Sequence, residues 1–575
     1  MKLLRKISAI ALALLFAASL QAQPFSTMPY NPYDETFSES CTTILVGKRA
    51  SSDGSVMTAH SCDSNYRTWL TMEKPIQYKA GETEPIFWGR LHTDSPSSVK
   101  GVKEMGQIPA PEKQTFRFFN TAYPSMNEKQ LAIGEATLQS KNELVNTKGL
   151  FQIEELERLA LQRCSTARDA IKLMGELAEK YGYGDDGECL TVADKNEAWA
   201  FEIYGTGAIK EDGSNEAAKQ GSPAAQPVKK GKKMKAGSID WTVAGAIWVA
   251  KRIPEDHIYI NANTSRISTV DFSDSQNTLY SKDLKERMKY LGLWDGKEEF
   301  KLYKMVSNQK SFGTREYFLM NKLAPSLGLK FDSEEIPFSI KPDVKMTPEI
   351  MFSCYRETYE GTNFDQTKEL YVDVPRRKMD ENGKSISYTE KVFPVSSFMP
   401  SDLRSLLNKL KPGCAPRTRT VAVIQCSYSH VTRLRSWMPD EIGAVSYFSF
   451  DNPAQSPRIP IYAGETKLPK GFDLCGQWKY SNDAAIWAYR ETNRIATINW
   501  GKTRNLVESN VAKYESLMME QSAQIEAKAA ELIKAGKRAE AVELLNNFTE
   551  EFANATSKAW FNLKGDLWIY FARSL

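Results

Sequence analysis

Cys41-Thr-Thr-Ile-Leu-Val-Gly47, a turn-rich link from Lys48 to Gly54, and Ser55-Val-Met-Thr-Ala-His60 form the stretch on which the fold turns. Both runs are β-branched and apolar, and the residues between them favour turns, so the sequence predicts an antiparallel hairpin. A turn centred on Ser52 sets Cys41 directly opposite Asp63. Opposed residues project to the same face of a sheet, so a thiol and a carboxylate would meet at the hairpin's open end. A one-residue bulge would break that register.

The residues before Cys41 have a different texture. MKLLRK precedes the apolar run ISAIALALLFAASL, and Leu20-Gln21-Ala22 follows it: a basic start, a short hydrophobic run and a small residue at the cut. This reads as a signal peptide over residues 1–22 and places the product in the periplasm or outside the cell. Residues 23–40 are rich in Pro, Ser and turn formers and read as a pro-segment removed on maturation. A thiol on the first residue of the strand can attack the Ser40 carbonyl, form a thioester and release the leader by hydrolysis. The new chain then begins at Cys41 with a free α-amine beside its own sulfur. An α-amine titrates near pKa ~8, which suits a general base for that thiol. On spacing alone a buried core cysteine is the better account of the residue.

Further along, residues 152–182 show helical spacing, with Ala167, Ala170, Met174, Leu177 and Tyr181 on one stripe and Ser165 or Thr166 as N-cap. Strand texture appears at 189–193, 198–203, 241–250 and 258–261. About residues 210–238, Gly, Ala, Ser, Pro and Lys dominate, which predicts a disordered lysine-rich insertion. From Thr503 to Leu575 two apolar stripes flank Gly536, so a C-terminal helical hairpin is expected beside a main body spanning 41–502. Strands and helices come in blocks without regular βαβ alternation, which makes the fold α+β.

Composition excludes several classes. The formal net charge is +4 with basic and acidic residues nearly balanced, so no nucleic-acid partner is expected. Eight cysteines are scattered without paired spacing, and four histidines lie far apart. No phosphate-binding glycine loop, G-x-S-x-G or H-E-x-x-H occurs, so neither metal nor organic cofactor is implied. Charged residues break the aromatic C-terminal stretch, and no membrane span is expected. The C-terminal hairpin leaves a homo-oligomer open.

From Cys41 onward the chain resembles peptidase family C69, the cysteine dipeptidases among the N-terminal nucleophile hydrolases. The opening CTTILVGKRASSDGS continues through Ala59-His60-Ser61-Cys62-Asp63-Ser64. Met126-Asn127-Glu128, Ala132-Ile133-Gly134-Glu135, Gly187 to Asp194, Ile260 to Ile267, Tyr355 to Thr362 and Pro460 to Gly464 extend the likeness in order. The resemblance implies a four-layer αββα sandwich and hydrolysis of a dipeptide or small amide through a thioester on Cys41. By the same resemblance Asp63 holds the N-terminal amine and Asn127 lies near the oxyanion. Asn263 is a second site asparagine, with Asn261 as its rival. Arg266 and His60 are candidate substrate contacts; relatives often carry Arg or another polar residue where His60 stands, and a packed or surface histidine ranks ahead of a substrate contact there. An acylase acting on N-acyl amides, bile conjugates or penicillins is the nearest alternative, and a non-catalytic peptide-binding protein of the same fold is another.

Overall fold

The computed structural model describes residues 40–146, 148–207, 214 and 245–574. The expected signal peptide, the pro-segment up to Glu39, and the lysine-rich stretch at 210–238 apart from Ser214 lie outside the described residues.

Two antiparallel sheets make the centre. In the first, the strand order is Ile258–Asn261 (β12), Ser40–Val46 (β1), Val56–Asp63 (β2), Cys426–Leu434 (β16), Ala444–Phe450 (β17) and Ile459–Tyr462 (β18). In the second it is Thr278–Tyr280 (β13), Ile247–Arg252 (β11), Ala198–Tyr204 (β10), Gly187–Ala193 (β9), Ala132–Leu138 (β8), Met126–Asn127 (β7), Phe118–Asn120 (β6) and Thr71–Glu73 (β3). Two separate ribbons pair Thr83–Trp88 (β4) with Lys103–Pro109 (β5), and Val372–Met379 (β14) with Ser385–Val392 (β15).

The sheets face each other through β1 and β2 against β8 and β9. Helices cover the outer faces. Ile153–Arg163 (α1) and Ala167–Tyr181 (α2) lie on the second sheet's side, and Thr166 caps α2 by accepting from the Asp169 N–H. Leu284–Tyr290 (α3) also rests on β11, and Leu302–Val306 (α4) is a short helix downstream. On the first sheet's side lie Thr314–Leu323 (α5) and Pro348–Tyr355 (α6). Ser401–Leu410 (α7) is peripheral, and Asp440–Gly443 (α8) turns the chain into β17. Ile486–Thr497 (α9), Trp500–Lys534 (α10) and Arg538–Ser574 (α11) form the C-terminal helical extension, which packs on β17 and β18. The result is the helix–sheet–sheet–helix sandwich of the α+β class. Gly536, at φ +79°, breaks the helix between α10 and α11 in the left-handed conformation glycine tolerates.

Because β1 and β2 are inner strands, every residue in them is buried. Alternation still sorts their side chains. Leu45, Val56 and Cys62 join the core between the sheets, whereas Ile44, Val46, Met57 and Ala59 join the core beneath α5, α6 and the C-terminal helices. The register corrects the sequence reading: Cys41 stands opposite Cys62, and Asp63 stands opposite Ser40. The pairing closes on Val46 opposite Met57, so the hairpin axis falls between Ser51 and Ser52 and not on Ser52. That one-residue shift turns Asp63 toward the helical face and His60 toward the face that carries Cys41.

Candidate functional site

Cys41 occupies the second position of β1, and its thiol points into the space between the sheets. Its Sγ–H donates to Glu135 Oε2 at 3.2 Å, and Nε2 of His60 lies 3.5 Å from that same oxygen. His60 reaches this point because Gly134 leaves room: a Cβ there would lie 3.2 Å from the His60 Cβ and 2.8 Å from Thr191 Oγ1. Tyr123, Tyr428 and His430 meet the His60 ring edge-on, with centroids 5.6 to 5.8 Å away. Cys41, His60 and Glu135 are all fully buried. Their donor atoms lie within 4.8 Å of one another, close enough for a divalent cation to bridge.

Burial pushes the Cys41 thiol well above its ordinary range, and a hydrogen bond with Cys62 and the Glu135 charge add to the rise. Burial likewise drives Cys62 up to about 11. Glu135 behaves in the opposite way. Burial pushes its carboxyl up, but the neighbouring His60, Glu188 and Cys41 outweigh that and hold it below the usual value. The resting site therefore pairs a neutral thiol with an ionised carboxylate.

The backbone of Cys41 is gripped from the turn after β12. Its N–H donates to Asn263 Oδ1 at 3.1 Å, while Asn263 Nδ2 donates to Thr137 O at 2.7 Å. Asn263 adopts φ +72°, a left-handed conformation that asparagine tolerates better than most residues. Asn261 shapes this turn: its Oδ1 accepts from Asn263 N, and its Nδ2 donates to Thr264 O. The asparagine brought to Cys41 is thus Asn263, with Asn261 behind it.

Helix α5 fixes the same corner with two consecutive charged residues. Arg315 donates to Cys41 O at 2.6 Å, to Asn263 Oδ1 at 2.6 Å and to Ala262 O at 3.0 Å. Glu316 accepts from Ala262 N and Thr264 Oγ1. With two donors converging on Oδ1, the Asn263 amide has one orientation that satisfies all its partners. On the other face of β1, Arg419 donates to Asp63 Oδ2 at 2.7 Å and to Ser40 Oγ at 2.8 Å. Asp63 therefore meets Cys41's neighbour Ser40 and a cation, not the thiol.

Two predicted site residues lie elsewhere. Asn127 donates both amide hydrogens to Leu161 O and Cys164 O, and its Oδ1 accepts from Lys129 N and Leu131 N. Its hydrogen-bonding capacity is spent on holding α1 and the β7–β8 turn, which leaves no N–H for an oxyanion. Arg266 is buried and donates to the carbonyls of Ser311, Pro337 and Phe338, so it ties three backbone segments together and is not aimed at a substrate carboxylate.

Sequence reasoning missed Glu135, Arg315, Arg419 and the opposed Cys62. An acid in the middle of the apolar run Ala132-Ile-Gly-Glu-Ala-Thr-Leu138 was the available signal for Glu135, since a charge inside a buried strand needs a reason.

A buried cysteine at the start of an inner strand, with its backbone nitrogen held by an asparagine, is the arrangement of an N-terminal nucleophile hydrolase. The chain belongs to peptidase family C69, whose profile matches residues 40–513. It is similar to a probable dipeptidase of Latilactobacillus sakei, 22% identical over 80% of this chain and 82% of that protein. It is similar to dipeptidase A of Lactobacillus helveticus at 22% identity, over 80% of this chain and 82% of the relative. It also resembles a probable dipeptidase B of Lactococcus lactis subsp. lactis (strain IL1403), 22% identical over 92% and 94% of the two chains. A hydrolytic function of the C69 family, centred on the Cys41–His60–Glu135 cluster, follows. No described helix is long and apolar enough to cross a membrane.

Proposed function

We propose that this chain is an exported cysteine dipeptidase that matures by cutting itself between Ser40 and Cys41. Cys41 Sγ attacks the Ser40 carbonyl carbon, the C–N bond to Cys41 breaks, and the nitrogen leaves as a free α-amine bearing the thiol's proton. Water then hydrolyses the Ser40 thioester and releases the leader.

In the mature enzyme the same thiol attacks the carbonyl of a dipeptide. The α-amine takes the thiol proton and passes it to the departing amino acid, and water cleaves the acyl-enzyme. The observation that supports this reading is the Cys41 N to Asn263 Oδ1 bond. After cleavage it commits one amine hydrogen to Asn263 and leaves the lone pair available to the adjacent sulfur. Arg315 supports the geometry by fixing Asn263 Oδ1 and Cys41 O together. The dipeptide substrate class is supported by the names of the relatives.

The same reading divides the protein into a leader of residues 1–22, a pro-segment of 23–40, a catalytic body of 41–502 and a helical hairpin of 503–575. It places the product in the periplasm or outside the cell, with no nucleic-acid partner.

The test is the intact mass and N-terminal sequence of the purified protein beside Cys41→Ala, with dipeptide hydrolysis measured on both. A wild-type chain beginning at Cys41 and active on dipeptides, with an uncut and inactive variant, is the expected result. Two chains that both begin near Gln23 would end the self-processing reading.

A further inference from the structure

Glu135 is an unexpected neighbour for a nucleophile. A carboxylate 3.2 Å from Sγ opposes formation of a thiolate, because two negative charges would then share a buried space. The adjacent arginines do not cancel it. Arg315 is occupied with Cys41 O, Thr42 Oγ1, Ala262 O and Asn263 Oδ1, and Arg419 with Asp63 and Ser40. Asp63 and Arg419 lie on the opposite face of β1 from the thiol. On the thiol's own face Glu135 is held by His60, by Thr137 Oγ1 at 3.1 Å and by Glu188.

Behind Glu135 the interior is polar and incompletely paired. Glu188 Oε2, both carboxyl oxygens of Glu157 and the Tyr183 hydroxyl are buried and make no hydrogen bond among the described residues. Burial pushes the Glu188 and Glu157 carboxyls well up, with the Glu135 charge adding to each rise. One anion thus sits at the nucleophile, backed by neutral acids able to donate hydrogen bonds. An anion in such a set is costly to bury when the His60 imidazole, 3.5 Å away, is the neighbour through which it meets positive charge.

Covalent geometry supplies that charge. In a dipeptide the α-nitrogen is two bonds from the scissile carbonyl carbon, a separation of about 2.5 Å. With that carbon about 3 to 3.5 Å from Sγ in an attacking pose, the nitrogen falls within hydrogen-bond reach of a group that already touches Sγ. We infer that Glu135 is the subsite for the substrate's free α-ammonium group, with Glu188 as its supporting partner, so that the enzyme selects peptides with an unblocked amino terminus. This rests on the dipeptidase reading and deepens it. The incoming ammonium offsets the Glu135 charge at the moment the thiol must lose its proton, so the correct substrate helps to prepare its own nucleophile. An N-acyl or des-amino amide leaves the carboxylate uncompensated.

The test compares alanyl-leucine with propionyl-leucine, which keeps the shape and lacks the amine, on wild type, Glu135→Gln and Glu135→Asp. Wild type is expected to favour alanyl-leucine by about 10⁴-fold in kcat/KM, the scale on which a site built for a polar group rejects an analogue lacking it. In Glu135→Gln the preference should collapse by about 10²-fold, whereas Glu135→Asp keeps the charge and most of the preference with a raised KM. The rate of Cys41 alkylation by iodoacetamide, read on the same samples, should rise in Glu135→Gln because the neighbouring anion is gone, and it reports that the site is folded. Comparable turnover of both substrates by wild type, or an equal loss on both in Glu135→Gln, would overturn the inference. If wild type cleaves neither compound, the dipeptidase reading falls as well. If it cleaves alanyl-leucine and Glu135→Gln keeps full discrimination, only the ammonium subsite falls.

Discussion

The backbone N–H of Cys41 donates to Oδ1 of Asn263 at 3.1 Å, across 222 residues of sequence. That bond fixes the nitrogen which becomes the proposed base. Asn263→Ala removes the acceptor and is expected to lower kcat/KM for dipeptides by about 10²- to 10³-fold, comparable to loss of one preorganised polar contact in an active site. Alanine also fits poorly at φ +72°, so part of any loss of stability is backbone strain. Asn263→Gly relieves the strain without restoring the acceptor. It should be more stable than the alanine variant in thermal unfolding and equally impaired in steady-state kinetics. Recovery of activity in the glycine variant would assign the residue a purely conformational role.

Ser40 and Asp63 are cross-strand partners, and Arg419 bonds to both. These three groups surround the proposed scissile bond from the face opposite the thiol. Arg419→Met should therefore slow self-cleavage at least tenfold in a time course of intact mass. It also strands a buried carboxylate, which costs about 3–5 kcal/mol. The double variant Arg419→Met/Asp63→Asn removes the stranded charge and should recover stability while processing stays slow. Normal processing in the double variant would show that the pair serves stability alone.

The hairpin was legible because it depends on local period and on turn formers between two apolar runs. Register was not, since parity is decided by how the link between Gly47 and Ser55 folds, and Ser51 there bridges to Met346, far along the chain. His60 illustrates the consequence: one residue of slip moves it from the far face to the nucleophile's side. Arg315 and Arg419 leave no local trace, because nothing in an amphipathic helix or an irregular segment says which distant carbonyl its arginine will meet. Asn127 and Arg266 show the converse: each sits in a stretch that matches the family, and each spends its polar atoms on the backbone. Resemblance located the segments, and only the hydrogen bonds separate reactive groups from scaffold.

The C-terminal helices are attached by more than apolar packing. Arg435, at the end of β16, forms a two-pronged ion pair with Glu526 of α10, and Tyr462 of β18 donates to the same carboxylate at 3.1 Å. Arg435 also donates to the carbonyls of Ile442 and Gly443. Glu526→Ala leaves the buried guanidinium without its ionic partner and should cost about 3–5 kcal/mol in chemical denaturation. Glu526→Gln keeps two acceptor contacts and should cost less. Equal stability of all three proteins would show that the helices contribute little to the fold's free energy.

Glu465 gives a stability that depends on pH in the reverse of the usual carboxylate direction. Its side chain is fully buried, with Oε1 accepting from Tyr462 N and Thr549 Oγ1, each at 2.7 Å, and Oε2 without a partner among the described residues. Burial raises its pKa to about 8 although those two hydrogen bonds pull the other way. In the unfolded chain the group titrates at the ordinary glutamate value of about 4.3. Between these values the folded state holds a proton that the unfolded state has lost, so stability falls as pH rises from about 4.3 to about 8. Glu465→Gln is nearly isosteric and cannot ionise. It should match wild type near pH 4.5 and exceed it at pH 8 by an amount on the order of a few kcal/mol. Urea denaturation of both proteins at the two pH values checks this, with the difference between them cancelling other titrating groups. A gap that stays constant with pH would mean that Glu465 is ionised in the folded protein throughout.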